Sequence, residues 1–238
     1  MKNRLILSSI FLVVFSASAF AQEKLFVFPQ FADGRFPDGT YYRSTLVLQA
    51  WLSSFPAPAC TLRLNGMRAD FGSVSGNLFT MTVPKDGWFQ VKTTGAQPFQ
   101  SGAAVLTCSE YVFASVLFSF YSPSGKLGEA TVLGVDPSYQ FRFVSDQTEG
   151  SRVGVAIAND TDISHSYIVT LRRTDGTTFG TSSVTVASRS SVAKFMDELM
   201  PTSANQILQV EIRAADFSDF AVVGLRFTGA VFTTIPAN

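Results

Sequence analysis

Apolar and polar residues alternate along much of the chain, the pattern of β-strands that turn one face to a core and the other to water. In the C-terminal part, for example, Val210 and Ile212 alternate with Glu211 and Arg213. The segment 153–158 differs because apolar or small residues occupy both of its faces. The pattern predicts an all-β fold of antiparallel strands, with 153–158 as a central strand of its sheet.

One segment, Ser190–Met200, has helical instead of β spacing. Its apolar residues lie three or four positions apart, and Pro201 follows as a stop signal. These apolar residues are Val192, Phe195, Met196 and Leu199. We predict one short helix here. The corresponding stretch of the first half, 84–91, contains Gly87 and is not expected to form a helix.

The second half of the chain repeats the pattern of the first, which is typical of an internal duplication. Three pairs of stretches align, the first two at a separation of 109 residues and the third at 107: 42–49 with 151–158, 61–63 with 170–172, and 113–114 with 220–221. We interpret the chain as two tandem antiparallel β-sandwich domains of the immunoglobulin-like type, residues 22–137 and 138–238. Each domain is expected to enclose its own hydrophobic core.

The first 21 residues have the pattern of a secretory signal peptide. Lys2 and Arg4 precede an apolar run, and Ala19 and Ala21 supply the small side chains that signal peptidase accepts. The apolar run is too short for a membrane anchor. We therefore expect cleavage after Ala21, a secreted or periplasmic location, and no membrane insertion of the mature chain.

Composition narrows the classes of partner and cofactor. The chain has 18 basic and 18 acidic residues, and loss of Lys2 and Arg4 with the leader leaves 16 against 18. This balance implies no polyanion-binding surface and argues against nucleic acid as a partner. One histidine and two cysteines are too few for a zinc site made of these residue types alone. Acidic clusters at 33–38 and 159–162 are interpreted as turns, with a calcium ion as the alternative. We predict no metal site and no cofactor.

Cys60 and Cys108 are the one chemically distinctive pair. In an exported chain an even number of cysteines favours a disulfide, and two buried free thiols are the alternative. The internal alignment places Cys108 opposite Ala215, on a phase that turns away from the core. The sequence therefore suggests the bond but not a geometry for it.

No set of catalytic residues is predicted. His165, in the connection before a strand, is interpreted as a solvated loop residue, and no G-x-S-x-G stretch accompanies it. Ser191 and Lys194 match S-x-x-K, but the partner motifs of the acyl-transfer enzymes are absent from the sequence. A secreted hydrolase remains an alternative that requires His165 within hydrogen-bond reach of a serine and a carboxylate.

Trp88, Trp51 and Tyr111 are the candidate ligand-binding residues. Exposed aromatic rings stack on ligands, although aromatic side chains more often fill cores. Trp88 follows the turn pair Asp86-Gly87 and is the strongest candidate for exposure. A carbohydrate-binding module, the main alternative function, requires at least two exposed rings on one sheet face.

Several motifs in the second half resemble those of an uncharacterised family of secreted bacterial tandem β-sandwich modules. They are GVAIAN at 154–159, AKFMDELMP at 193–201, VVGLRF at 222–227 and FTTIP at 232–236. The resemblance implies a sandwich fold and supplies no catalytic residues. The expected function is a non-catalytic structural, adhesion or ligand-display role outside the cytoplasm, with a protein or glycan partner.

Overall fold

The computed structural model describes residues 23–51 and 56–237 and is built almost entirely of antiparallel strands. The predicted signal peptide lies outside the described residues. Within the described ranges, none of the helices has the length and apolar character needed to cross a membrane. The strands are β1 (Lys24–Arg35), β2 (Tyr41–Ala50), β3 (Ala59–Asn65), β4 (Ala69–Asp70), β5 (Ser75–Gly76), β6 (Leu78–Thr82), β7 (Trp88–Lys92), β8 (Gln100–Cys108), β9 (Val112–Ser122), β10 (Gly125–Leu133), β11 (Gln140–Asp146), β12 (Ser151–Asn159), β13 (His165–Arg172), β14 (Thr178–Val186), β15 (Ser190–Phe195), β16 (Ile207–Ala214), β17 (Ala221–Thr228) and β18 (Val231–Ile235). A helix α1 (Met196–Leu199) and a 3-10 turn (Pro201–Ser203) lie between β15 and β16.

The first half forms two layers joined through β1. One layer has the order β1-β8-β3-β6, and the other has β7-β2-β9-β10. A bulge between Phe28 and Phe31 interrupts the pairing of β1 with β8, and the end of β1 pairs with β2 instead. Phe28, Leu48 and Leu62 are fully buried between the layers. The inward-facing alternate residues of both layers thus form the first core.

The second half also has two layers, in the orders β11-β16-β13-β14 and β15-β12-β17-β18. Its core includes Ile157 from one layer and Tyr167 and Ile212 from the other. The strand order of the two halves is the same. The layer β1-β8-β3-β6 corresponds to β11-β16-β13-β14, and the layer β7-β2-β9-β10 corresponds to β15-β12-β17-β18. The β4–β5 hairpin is extra in the first half.

The two halves have distinct hydrophobic clusters, but the first cluster is not confined to the first half, which corrects the expectation that each half encloses its core alone. Ala156, Val223, Leu225 and Phe232 belong to the first hydrophobic cluster although they lie on β12, β17 and β18. The reason is the two-sided apolar pattern of β12, which is a central strand as predicted. One face of its sheet closes the second core, and the other face closes the first.

The predicted helix over Ser190–Met200 is also corrected. Residues 190–195 form the edge strand β15, which pairs with β12 from Asn159 to Gly154, and only Met196–Leu199 is helical. A short run with mixed spacing satisfies its backbone groups by joining an existing strand, which a single helical turn does poorly. The 84–91 stretch likewise contributes a strand, β7.

Asp160 connects the two halves through a polar network. Its carboxylate accepts hydrogen bonds from Arg63 at 2.9 and 3.1 Å and from Asn65 at 2.7 Å, both in the first half. Arg189 approaches the same carboxylate at 3.0 Å from the second half. Asp160 therefore serves as a structural bridge between the halves, a role that the interpretation of segment 159–162 as turn chemistry did not include.

Replacing Asp160 by Ala is expected to lower the free energy of unfolding by about 1–2 kcal/mol, because two partly buried guanidinium groups lose their shared acceptor. Urea denaturation measures the change. Asp162→Ala is the matched control, since its side chain is 83% exposed and, among the described residues, forms an ion pair with Arg189 alone. Equal effects of the two substitutions would contradict the bridging role of Asp160.

Cys60 and Cys108 form a disulfide between β3 and β8, where the two residues lie directly opposite each other. Both are buried, so the expectation that Cys108 faces away from the core is wrong. The pair Leu62–Leu106 of the first half corresponds to the pair Leu171–Val210 of the second. Two residues further along the strands, Cys60 and Cys108 therefore correspond to Val169 and Ile212. The alignment failed because the connection after β8, residues 109–111, is shorter than the one after β16, residues 215–220.

Loss of the disulfide is expected to destabilise the protein by roughly 4 kcal/mol, since the bond closes a loop between residues 48 positions apart. The measurement is denaturant unfolding with and without reductant, with the thiol count checked by mass spectrometry. The double variant Cys60→Ala/Cys108→Ala should unfold at the same denaturant concentration in both conditions. A wild-type midpoint that does not move with reductant would refute the stabilising role.

Candidate binding surface

The outer face of the sheet β7-β2-β9-β10 is open to solvent and carries the predicted aromatic residues. Leu46 and Leu48 of β2 point into the core, so Val47 and Gln49 point outward. Directly opposite residues of antiparallel strands share a face. Gln49 is opposite Trp88 on one side and Phe113 on the other, which places both rings on the outer face.

Four exposed aromatic residues gather at one end of this face. Trp51 and Tyr111 flank Phe113, whose ring centroid lies 5.0 Å from that of Trp51 and 5.6 Å from that of Tyr111. The rings of Trp51 and Tyr111 are 5.8 Å apart and nearly perpendicular. We call Trp51, Trp88, Tyr111 and Phe113 the aromatic platform. Their exposed fractions are 52%, 64%, 43% and 49%.

All three predicted ligand-binding residues therefore belong to one exposed surface, and Phe113 was missed. The internal alignment paired Phe113 with Phe220, which is buried. The buried residue at this place in the first half is Val112, one position earlier. The alignment is thus out of phase by one position, which reverses the face. A groove of about 310 Å³ beside the platform is lined by Val47, Phe113 and Leu133 among others.

A second concave region lies where the halves meet. This cleft of about 360 Å³ has Phe36, Tyr42 and Phe99 on one wall and Phe195 and Phe227 on the other. Burial raises the pKa of Tyr42 to about 12, so its hydroxyl stays protonated near neutral pH. The cleft is mainly apolar and continues the packing between the two halves.

His165 is buried rather than solvated, which corrects its interpretation as a loop residue. It begins β13 and is 6% exposed. Its Nδ1 lies 2.6 Å from Asp216 Oδ2 and 3.1 Å from Ser218 Oγ. A serine, a histidine and a carboxylate do meet here, as the hydrolase alternative requires.

The arrangement around His165 lacks the geometry of a catalytic triad. In a triad the carboxylate and the nucleophile occupy different ring nitrogens, but here both approach Nδ1. The hydroxyl of Ser218 also donates to Asp216 Oδ1 at 2.7 Å. The three side chains thus hold the turn before β17 together.

The other candidate motifs have structural partners. Ser191 and Lys194 lie three positions apart on β15, so they point to opposite faces of a strand and cannot act together. Asp33 accepts hydrogen bonds from the backbone of Gly95 and Asp70. Among residues 23–51 and 56–237, no group of three or more His, Cys, Asp or Glu side chains is placed to hold a metal ion.

Asp216 gives the turn a pH dependence. Hydrogen bonds from the side chain and backbone of Ser218, and then from His165, lower the pKa of Asp216 from 3.8 to about 2. A depressed carboxyl pKa stabilises the folded state above the unfolded pKa, and this contribution is lost as the pH falls through the folded pKa.

We expect the stability difference between wild type and Asp216→Asn to shrink as the pH falls from about 4 to about 2. Urea unfolding across this range measures it. Ser218→Ala, which removes the main cause of the shift, should move the decline toward higher pH. A difference that does not vary with pH would contradict the assignment.

Comparisons with protein families, with curated proteins and with solved structures found no match to this chain. A functional assignment therefore rests on the geometry of the surfaces described above.

Proposed function

We propose that the protein is an exported, non-catalytic binding protein whose aromatic platform holds a carbohydrate. The observation that carries this proposal is a cluster of four exposed aromatic side chains: Trp88 and Phe113 lie on one face of one sheet, and the rings of Trp51 and Tyr111 pack beside Phe113 at the end of that face. Of the functions considered from the sequence, the carbohydrate-binding module is the one that required such a surface.

The physical basis is the amphipathic nature of both partners. A sugar ring has an apolar face of C–H groups, which pack against an aromatic ring, while its hydroxyl groups remain hydrated at the edges. A cluster of large exposed apolar side chains marks an interaction surface. Trp88 and Phe113 extend from paired strands rather than from loops, so little conformational entropy is lost when a ligand binds.

Export is supported by two features. The first is the signal-like leader pattern of residues 1–21, and the second is the Cys60–Cys108 disulfide, a bond that persists in oxidising compartments. The absence of catalysis is supported by the geometry at His165, where one ring nitrogen serves both Asp216 and Ser218. The proposed protein acts by holding a ligand and displaying it outside the cytoplasm.

We further infer that the chain arose by duplication of one immunoglobulin-like sandwich, with the boundary near residue 137. The common strand order of the two halves supports this inference. The aromatic platform has no equivalent in the second half, because the corresponding sheet there is covered by the first half. Of the two corresponding sheets, the one in the first half keeps an outer face that is open to solvent.

Trp88→Ala is expected to weaken glycan binding about tenfold, which corresponds to roughly 1.4 kcal/mol, because it removes one stacking surface. Glycan arrays identify ligands of the full chain, and calorimetric titration of the tightest one compares the variants. Tyr139→Ala is the matched control, because Tyr139 is 47% exposed but lies in the second half. Absence of any glycan binding, or an equal loss in both variants, would refute the proposal.

A further inference from the structure

The outer face that carries the aromatic platform bears a cluster of cations at its opposite end. Two tyrosines, opposite each other on β2 and β9, form the centre of this cluster. Their rings are stacked, with centroids 4.8 Å apart and planes within 3° of parallel. We call the following set the basic cluster: Tyr41, Tyr121, Arg35, Arg43, Lys92 and Lys126.

The tyrosine rings hold the cations in place. The guanidinium carbon of Arg35 lies 4.8 Å from the ring centroid of Tyr41, and that of Arg43 lies 5.2 Å from Tyr41 and 5.5 Å from Tyr121. Lys92 Nζ lies 5.3 Å from the Tyr121 ring and donates a hydrogen bond of 3.1 Å to its hydroxyl. The negative faces of the rings offset part of the repulsion between like charges.

The positive charge of the cluster is only partly compensated. Lys126 pairs with Glu129 at 2.7 Å. Within the part of the chain that the structure describes, Arg35, Arg43 and Lys92 form no ion pair. The four cations and Glu129 sum to a charge of +3. Behind Arg43, the carboxylates of Asp70 and Asp33 accept hydrogen bonds from Thr94 and Gly95, and they reduce this positive excess without cancelling it.

The cations keep free hydrogen-bond donors. Arg43 uses its Nε to donate to the carbonyl of Thr94 at 2.8 Å, which fixes the side chain while its terminal nitrogens stay available. Burial alone would raise the pKa of Tyr121, but the hydrogen bond and charge of Lys92, with the charge of Lys126, lower it instead. The Tyr121 hydroxyl therefore lies in an electropositive surrounding, which favours a bound anion.

The basic cluster and the aromatic platform lie on one continuous face. Tyr41 and Gln49 are eight residues apart on β2, an even number that keeps them on the same side. Tyr121 and Phe113 have the same relation on β9. At the rise of an extended strand, this separation is about 26 Å. Such a length suits a linear polymer of several sugar units.

We propose that this face binds an acidic polysaccharide, whose carboxylate or sulfate groups contact Arg35, Arg43 and Lys92 while its sugar rings stack on the aromatic platform. This inference rests on the proposed carbohydrate-binding function and adds the chemical class of the ligand. A carbohydrate is favoured over a nucleic acid because the Tyr41 and Tyr121 rings beside the cations are occupied by each other and by those cations. The exposed rings of the aromatic platform lie about 26 Å away along the strands, whereas a nucleic acid carries a phosphate next to every stacked base.

The test measures binding of the full chain to two matched pairs of probes: dextran sulfate with dextran, and polygalacturonate with its methyl ester. We expect tighter binding of the acidic member in at least one pair, weakened by raising the salt from about 50 to about 200 mM. Arg43→Gln and Lys92→Gln should each lower the affinity for that acidic probe about fivefold and leave array-detected binding of neutral glycans unchanged. The pair that responds distinguishes sulfate from carboxylate.

Arg213→Gln is the matched control, since Arg213 is an exposed arginine on β16 and forms no ion pair within the described residues. Arg35→Gln, at the exposed end of β1, provides a second variant if Arg43→Gln does not fold. Equal affinity for charged and neutral probes overturns this inference, and so does acidic binding that the cluster variants leave unchanged. If the array still detects glycan binding that Trp88→Ala abolishes, the proposed function stands in either case. Equally tight binding of single-stranded DNA, with equal sensitivity to Arg43→Gln, overturns it in favour of a general polyanion site. Binding of no glycan on the array or among the probes overturns both.

Discussion

The arrangement of the whole molecule depends on one sheet, β15-β12-β17-β18, that is buried on both faces. Val155 and Ile157 of β12 fill the second core, while Ala156 on the opposite face belongs to the first. Around Ala158 and Ala221, small side chains let the layers approach closely. Since the outer face of this sheet closes the first core, the halves cannot separate without exposing the apolar residues of both halves that meet there. The outer face of the sheet β7-β2-β9-β10 in the first half remains open to solvent.

Local patterning was sufficient to predict strands but not to predict how they pair. The period of two and the two-sided apolar pattern identified β12 as a central strand. The segment from Ser190 to Phe195 has spacing compatible with a helix or a strand, and only its non-local pairing with β12 decides between them. The face of Cys108 was wrong for a related reason, because unequal connections shift the strands that follow them. An alignment error of one residue moves a side chain to the opposite face of its sheet, and an error of three residues also moves it along the strand.

The candidate surface was predictable in its residue types and not in its extent. Trp51, Trp88 and Tyr111 could be named because tryptophan and tyrosine near turns tend to be exposed. Phe113 could not, because a phenylalanine in an apolar strand is ordinarily assigned to the core. The basic cluster was invisible for a different reason. Arg35 and Lys126 come from strands far apart in the chain, and only the order β10-β9-β2-β1 brings them to the same end of the sheet.

A rigid sheet face explains how this chain could select a ligand without a deep pocket. The spacing between the two ends of the face is set by strand rise and does not change when a ligand binds. Concentrating cations raises the energy of the free protein, and the stacked rings of Tyr41 and Tyr121 offset this cost only in part. An anion at that end relieves the remaining repulsion, whereas a neutral chain gains nothing there. In the proposed binding mode, selectivity comes from the distance between the apolar and the charged contacts: a short ligand cannot reach both, and an uncharged ligand gains nothing from the second.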